Sequence, residues 1–178
     1  RERRGWIAER LAARPPPLPL VAGAVVAVFG APVALMPDGR RPRLIAGRLV
    51  GCGEGTVDAQ LVARCLRREA REVFTTRAEV HCATLAVPAP PVSVNDPRTR
   101  WGSCSPAKAG RPGAIRLSWR LALAPWPVAD YVVAHECAHL IEANHGPRFW
   151  ALVAALTGDP RPHRAWLRAE GARLHAAF

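Results

Sequence analysis

The sequence predicts an α+β fold: a β-rich N-terminal portion, a small sheet, and helices packed around one buried helix. Three observations carry this. Residues 131–150 read YVVAHECAHLIEANHGPRFW, where Val132, Val133, Ala134, Cys137, Ala138, Leu140 and Ile141 leave a segment apolar nearly all round, as in a buried helix. Ile115, Leu117 and Trp119 alternate with Arg116, Ser118 and Arg120, the period of a half-buried strand. Val57, Leu61, Val62, Cys65, Leu66, Ala70 and Val73 recur at helical spacing, with Arg64, Arg67, Arg68 and Arg71 as the solvated side.

The elements follow in order. Residues 1–14 are a basic start with Trp6, Ile7 and Leu11 at helical spacing, ended by Pro15, Pro16 and Pro17. Residues 18–36 are uncharged and apolar, a pattern that also suits a membrane anchor. Pro19, Gly23, Gly30 and Pro32 interrupt it, and Val25, Val26, Val28 and Phe29 have β character. Short strands are therefore expected, with turns at residues 30–32 and 37–40, and no membrane span is favoured. Residues 43–50 read as a further strand and 51–55 as a loop. Thr56 can cap a helix over 57–74. Thr76, Arg77, Ala78 and Glu79 match a capping box, which predicts a second helix to about residue 85. A proline-rich link (87–91), a strand (92–95) and a loop (106–113) precede the alternating strand. A terminal helix is expected over 163–175, with Trp166, Leu167 and Leu174 as its apolar positions. Residues 1–55 form the expected N-terminal tail and strand portion, and residues 56–178 the catalytic portion, as one compact unit.

Composition bounds the class. A chain of 178 residues with 49% hydrophobic and 22% charged content is an ordinary globular domain. Cys52, Cys65, Cys82, Cys104 and Cys137 are odd in number and contain no CxxC pair, which argues for reduced thiols and a cytoplasmic setting. The net charge of +11 makes nucleic acid a possible partner. Lys108 is the one lysine and the other basic residues are arginine, a compositional bias that explains the charge without such a partner. Nucleic-acid binding is not favoured, and the oligomeric state is open.

The chemistry is concentrated in His135-Glu136-Cys137-Ala138-His139. Residues four apart share one helix face, so His135 and His139 can bind one metal ion. Glu136 lies about 100° round the helix, near enough to reach a water on that ion. Imidazole nitrogen suits Zn²⁺, and a catalytic zinc keeps three protein ligands and an open position. Asn144, Gly146 and Pro147 mark a turn, which can return His145 to the same ion. Glu142, three residues after His139, is a rival ligand. Cys104 has no base placed beside it by the sequence and is not expected to be a nucleophile.

With Asn144, His145, Phe149 and Trp150, this motif resembles the YgjP-like metallopeptidase domain, a group of bacterial zincin-like proteins also called M48-family or WLM-type metallopeptidases. Arg100-Trp101-Gly102-Ser103-Cys104-Ser105, followed by Ile115-Arg116-Leu117-Ser118-Trp119-Arg120, matches that family's order of motifs. The resemblance covers residues 57–167 well. The segment around His145 is also similar to SprT-like proteases, which act on proteins crosslinked to DNA, but the 100–105 motif favours the YgjP-like group. The resemblance implies a zincin-like fold and a zinc-dependent peptidase acting on peptide or protein substrates. It implies one Zn²⁺ held by His135, His139 and His145, with Glu136 as general base. Cys137 replaces the common leucine after His-Glu. Arg161-Pro162-His163 stands where relatives often place an aromatic hydroxyl, so Tyr131 or His163 is the candidate substrate or oxyanion contact. Arg100, Trp101, Gly102, Ser103 and Cys104 are expected to be a structural motif near the site, with Trp101, Gly102 and Ser103 in a tight turn. Ala114, Ile115, Arg116, Leu117 and Ser118 are the candidate edge strand for substrate, since zincin-type proteases commonly bind substrate as an added strand.

Overall fold

The computed structural model describes residues 20–37, 43–51, 57–108, 110 and 112–177. The expectations for residues 1–17, for the turn at 38–40, for the loop at 52–55 and for a Thr56 cap lie outside the described residues.

The N-terminal strands form two hairpins. In β1 (Val25–Val28) and β2 (Ala31–Leu35), Val28 pairs with Ala31, leaving Phe29 and Gly30 as a two-residue turn. Both have positive φ, 50° and 81°, as such hairpins require. Glycine tolerates this conformation freely. Phe29 is held in it by its surroundings. Its N–H donates to the Ala122 carbonyl at 2.6 Å, and its ring packs edge-on against Phe74 and Trp126. The turn thus falls one residue before the expected 30–32, and Pro32 lies within β2. The span 43–50, expected as one strand, is a second hairpin of β3 (Arg43–Ile45) and β4 (Arg48–Val50) around Ala46 and Gly47. The sheet order is β1-β2-β4-β3. No helix among the described residues is long and apolar enough to cross a membrane.

Helix α1 (Ala59–Thr84) runs 26 residues without a break, where two helices were expected. Asp58 caps it, accepting from the Gln60 N–H at 2.8 Å. The capping-box signal fails because Thr76 donates its hydroxyl back to the Glu72 carbonyl at 3.2 Å, a bond available inside a helix. The buried stripe of Val62, Leu66, Ala70, Phe74, Ala78 and Cys82 continues through the position and keeps the helix whole.

A second sheet joins β5 (Val92–Asn95), β6 (Gly102–Ser105) and β7 (Ala114–Ser118) in the order β5-β7-β6. This corrects two expectations. Ala114, Ile115, Arg116, Leu117 and Ser118 do not form an edge: β7 is central, parallel to β5 and antiparallel to β6. Trp101, Gly102 and Ser103 do not form a tight turn, because Gly102–Ser105 is itself a strand, and it is an edge of this sheet. The alternation also stops at Ser118. A 3-10 helix follows (Trp119–Leu123) and buries Arg120. That charge is compensated by the Asp96 carboxylate at 2.7 Å and the Leu174 carbonyl at 2.9 Å, as a buried ion requires.

Helices α2 (Trp126–Ala138), α3 (Pro147–Thr157) and α4 (Arg161–Ala176) complete the fold. The main core packs Ala70, Phe74 and Cys82 of α1 with Ile115 and Leu117 of β7, Val133 and Cys137 of α2, and Phe149 and Val153 of α3. One polar tie joins α1 to α2. The Asp130 carboxylate accepts from Arg77 Nε and Nη2 at 2.8 and 2.9 Å, and lies 2.8 Å from His81 Nε2. Burial alone would raise the Asp130 pKa, but the hydrogen bonds from His81 and Arg77 outweigh it and hold the carboxyl below its usual value. Removing one partner of such a pair leaves charge buried without compensation, so Asp130→Asn should cost about 3 kcal/mol in denaturant unfolding near neutral pH. The depressed pKa gives stability that is present above the unfolded value of about 3.9 and lost as pH falls through the folded value. The gap between wild type and Asp130→Asn should therefore narrow below about pH 4. A gap that stays constant with pH would contradict this assignment.

Candidate metal centre

α2 ends at Ala138, with His139 as its C-cap. His135 therefore lies in the last turn and His139 at the terminus, still one turn apart on one face. The chain then turns through residues 139–146, and α3 begins at Pro147 behind Gly146. This turn carries His145 back over the helix. His145 Nε2 lies 3.1 Å from His135 Nε2, and one ligand atom from each of His135, His139 and His145 falls within 4.8 Å of the others. Among the described residues this is the group found with metal-binding spacing.

Phe149, fully buried at the start of α3, packs against all three imidazoles with ring centroids 4.5 to 4.8 Å away. It acts as an apolar backstop that fixes their separation. Each of the two helix histidines also has a partner on its far nitrogen. His139 Nδ1 lies 3.0 Å from the Glu142 carbonyl oxygen, and His135 Nδ1 lies 3.4 Å from the Tyr131 hydroxyl. An Nδ1–H donating to these oxygens leaves each Nε2 lone pair free, the arrangement that orients a metal-ligating imidazole. Glu142 thus meets the site through its backbone carbonyl; its side chain accepts from the Asn144 N–H at 3.4 Å.

The donor set fits zinc. Nitrogen ligands at about 2.0–2.1 Å in a tetrahedral site lie about 3.3 Å from each other, close to the shortest separation present. His135 and His145 are also held neutral. Burial, then the charges of His139, His145 and Arg164, push the His135 imidazole down to about 3. Burial first, then His139 and Arg164, lowers His145. Neutral imidazole is the form that binds metal.

Glu136 is 5% exposed. Burial pushes its carboxyl up to about 7, against the Arg100 charge that pulls it down. It faces β6: a Cβ on Gly102 would lie 2.7 Å from Glu136 Cγ. Gly102 is needed here for space, since its φ is not in the left-handed region. An open cleft of about 400 Å³ is lined by Gly102, Ser103 and Cys104 on one side and His135, Glu136, His139 and His145 on the other.

The remaining expected residues are placed as follows. The Tyr131 hydroxyl sits behind His135, on its Nδ1 side, and its ring stacks on His163 at 5.6 Å. Trp101 stacks on His175 of α4 at 4.5 Å, tying the 100–105 segment to the C-terminal helix. Burial, then the Glu136 charge, pushes the Cys104 thiol up to about 12, so it stays protonated. Sequence reasoning missed Arg164, which lies over the Trp150 ring at 4.5 Å and whose charge reaches His135 and His145. Nothing in its local sequence marks it.

A helix offering two histidines and a buried glutamate, beside the edge of a small sheet in an α+β fold, defines a zincin-like metallopeptidase. The family model described as "YgjP-like, metallopeptidase domain" matches residues 1–170. The chain belongs to this family, which implies a zinc metallopeptidase acting on peptide or protein substrates. No curated protein and no solved structure matches the chain significantly.

Proposed function

We propose that the chain is a zinc endopeptidase that holds one ion through His135, His139 and His145 and uses Glu136 as general base. The observation that carries this reading is the convergence of three imidazoles beside the buried Glu136 carboxylate, which lines the same cleft. Bound there, zinc supplies a Lewis acid that polarises the scissile carbonyl and lowers the pKa of water.

The chain's own residues do the rest. Glu136 takes the proton of the attacking water and passes it to the departing amine. Its pKa, raised to about 7 by burial, suits both steps, because a general base works best when its pKa lies near the operating pH. Tyr131 and the Glu142 carbonyl hold the two helix histidines in orientation. The edge of β6 runs past Glu136 at Gly102 and can receive substrate backbone as an added strand. This moves the substrate edge from Ala114–Ser118 to Gly102–Ser105. His163, stacked on Tyr131, is the remaining candidate for a substrate or oxyanion contact.

Peptide hydrolysis by purified protein, before and after zinc removal, tests this. Activity should vanish on chelation and return with zinc. His145→Ala should lower zinc affinity by a factor of about 10–100 or more, as loss of a ligand does at least what loss of its supporting partner does. Hydrolysis that persists in zinc-free protein would remove the reading.

A further inference from the structure

We propose, resting on the peptidase reading, that the outer face of β6 is a subsite for an acidic side chain of the substrate, formed by Arg100 and Arg116. Side chains alternate along a strand. Gly102 abuts Glu136, so Gly102 and Cys104 face α2, while Ser103 and Ser105 face outward. Ser103 pairs with Arg116 of the central strand, and Ser105 with Ala114. Arg116 is exposed and does not point straight out. Its Nη1 donates to Ser105 Oγ at 3.3 Å, so the guanidinium leans from the central strand onto β6, on the side of the open edge. The serines are small enough to let it pass.

Arg116 stands between two cavities on this face. One, of about 290 Å³, is also lined by Asn95, Pro97, Arg100 and Ser103. The other, of about 460 Å³, is also lined by Ser105 and Lys108. Among the described residues, three cations thus border the outer face, and no carboxylate lines either cavity. None of the three takes part in an ion pair among the described residues, though the Arg100 charge also reaches Glu136; those pairs involve Arg67, Arg68, Arg77, His81, Arg120, Arg161 and Arg173.

A strand added to β6 would lie about 4.8 Å beyond it. Its side chains would alternate between the metal side and the Arg116 side. Arg116 already leans over Ser105, so a glutamate on the added strand spans the remaining gap. The guanidinium offers a planar fork matched to a carboxylate. The preference should therefore belong to one alternate set of substrate positions and not to net peptide charge.

Binding can be read without turnover, using zinc-loaded Glu136→Gln protein and fluorescein-labelled decapeptides that carry a single Glu at each position in turn. Matched Gln and Lys peptides serve as references, with anisotropy as the readout. At the favoured positions, Glu should bind about fivefold tighter than Gln, the upper range for an exposed charge pair. Lys should bind more weakly than Gln. The gap should shrink with salt, close in an Arg100→Gln/Arg116→Gln background, and reverse in Arg116→Glu. Equal affinities for all three peptides, absence of binding included, would overturn the subsite. So would a Glu preference independent of position and abolished by a single-stranded oligonucleotide, which would mark a general anion surface. Wild-type cleavage of the same peptides separates the two readings. Glu-selective binding without cleavage keeps the subsite and removes the peptidase, whereas cleavage of all three alike does the reverse.

Discussion

Glu136→Gln should lower peptide hydrolysis about 10²–10⁴-fold, the range that a positioned general base supplies, while zinc content should stay at the wild-type level. The amide keeps the shape and the hydrogen-bonding reach of the carboxylate but cannot take a proton. The three imidazoles are untouched, so the two effects separate. Activity that survives the substitution with zinc bound would mean that Glu136 is not the base.

The same substitution has a second signature in the metal-free protein. The folded carboxyl is pushed up to about 7 from an ordinary 4.5 by burial. Between those values the folded chain holds a proton that the unfolded chain releases. The stability this group contributes is therefore complete below about pH 4.5 and is lost as pH rises through 7, by about 3 kcal/mol in all. Glutamine carries no such proton. The stability of Glu136→Gln relative to wild type should rise by that amount from pH 4.5 to 7. The opposite slope from His135, pushed down to about 3, is present in both proteins and cancels. Parallel pH profiles for the two would show that the carboxyl is not perturbed.

Gly102→Ala carries the next largest effect. The added methyl would meet the Glu136 carboxylate, with Cγ at 2.7 Å and Cδ at 2.8 Å. Either Glu136 rotates off its position or β6 withdraws from α2. Overpacking of this kind costs about 1–3 kcal/mol. Both outcomes separate the base from the edge along which substrate is proposed to lie. Hydrolysis should fall nearly as far as in Glu136→Gln, with zinc retained, because the three atoms nearest the added methyl all belong to Glu136. Wild-type turnover in Gly102→Ala would show that this close approach has no part in the reaction.

What the sequence made legible depended on range. His135, Glu136 and His139 follow from helix geometry alone, a local rule. His145 was legible because Asn144, Gly146 and Pro147 announce the turn that returns it. Which strand lies at the edge was not legible. Alternation at Ile115, Arg116 and Leu117 reports one buried face, and a central strand with one open face alternates just as an edge strand does. Only the long-range pairing of β5 and β6 on either side of β7 decides it. Gly102 looked like a turn residue because a glycine needed for space cannot be told from one needed for conformation. The Thr76 capping box was a true local preference, overruled by the apolar stripe that α1 packs against the rest of the protein. Phe29 takes a left-handed turn position against its own preference because its ring fills the gap between Phe74 and Trp126.

Anomalous diffraction at the zinc edge, on crystals of the zinc-loaded protein, tests the central claim most directly. One peak is expected about 2.0–2.1 Å from an imidazole nitrogen of each of His135, His139 and His145, with Glu136 nearby and unligated. A peak elsewhere, or one that takes Glu142 or Glu136 in place of His145, would contradict it.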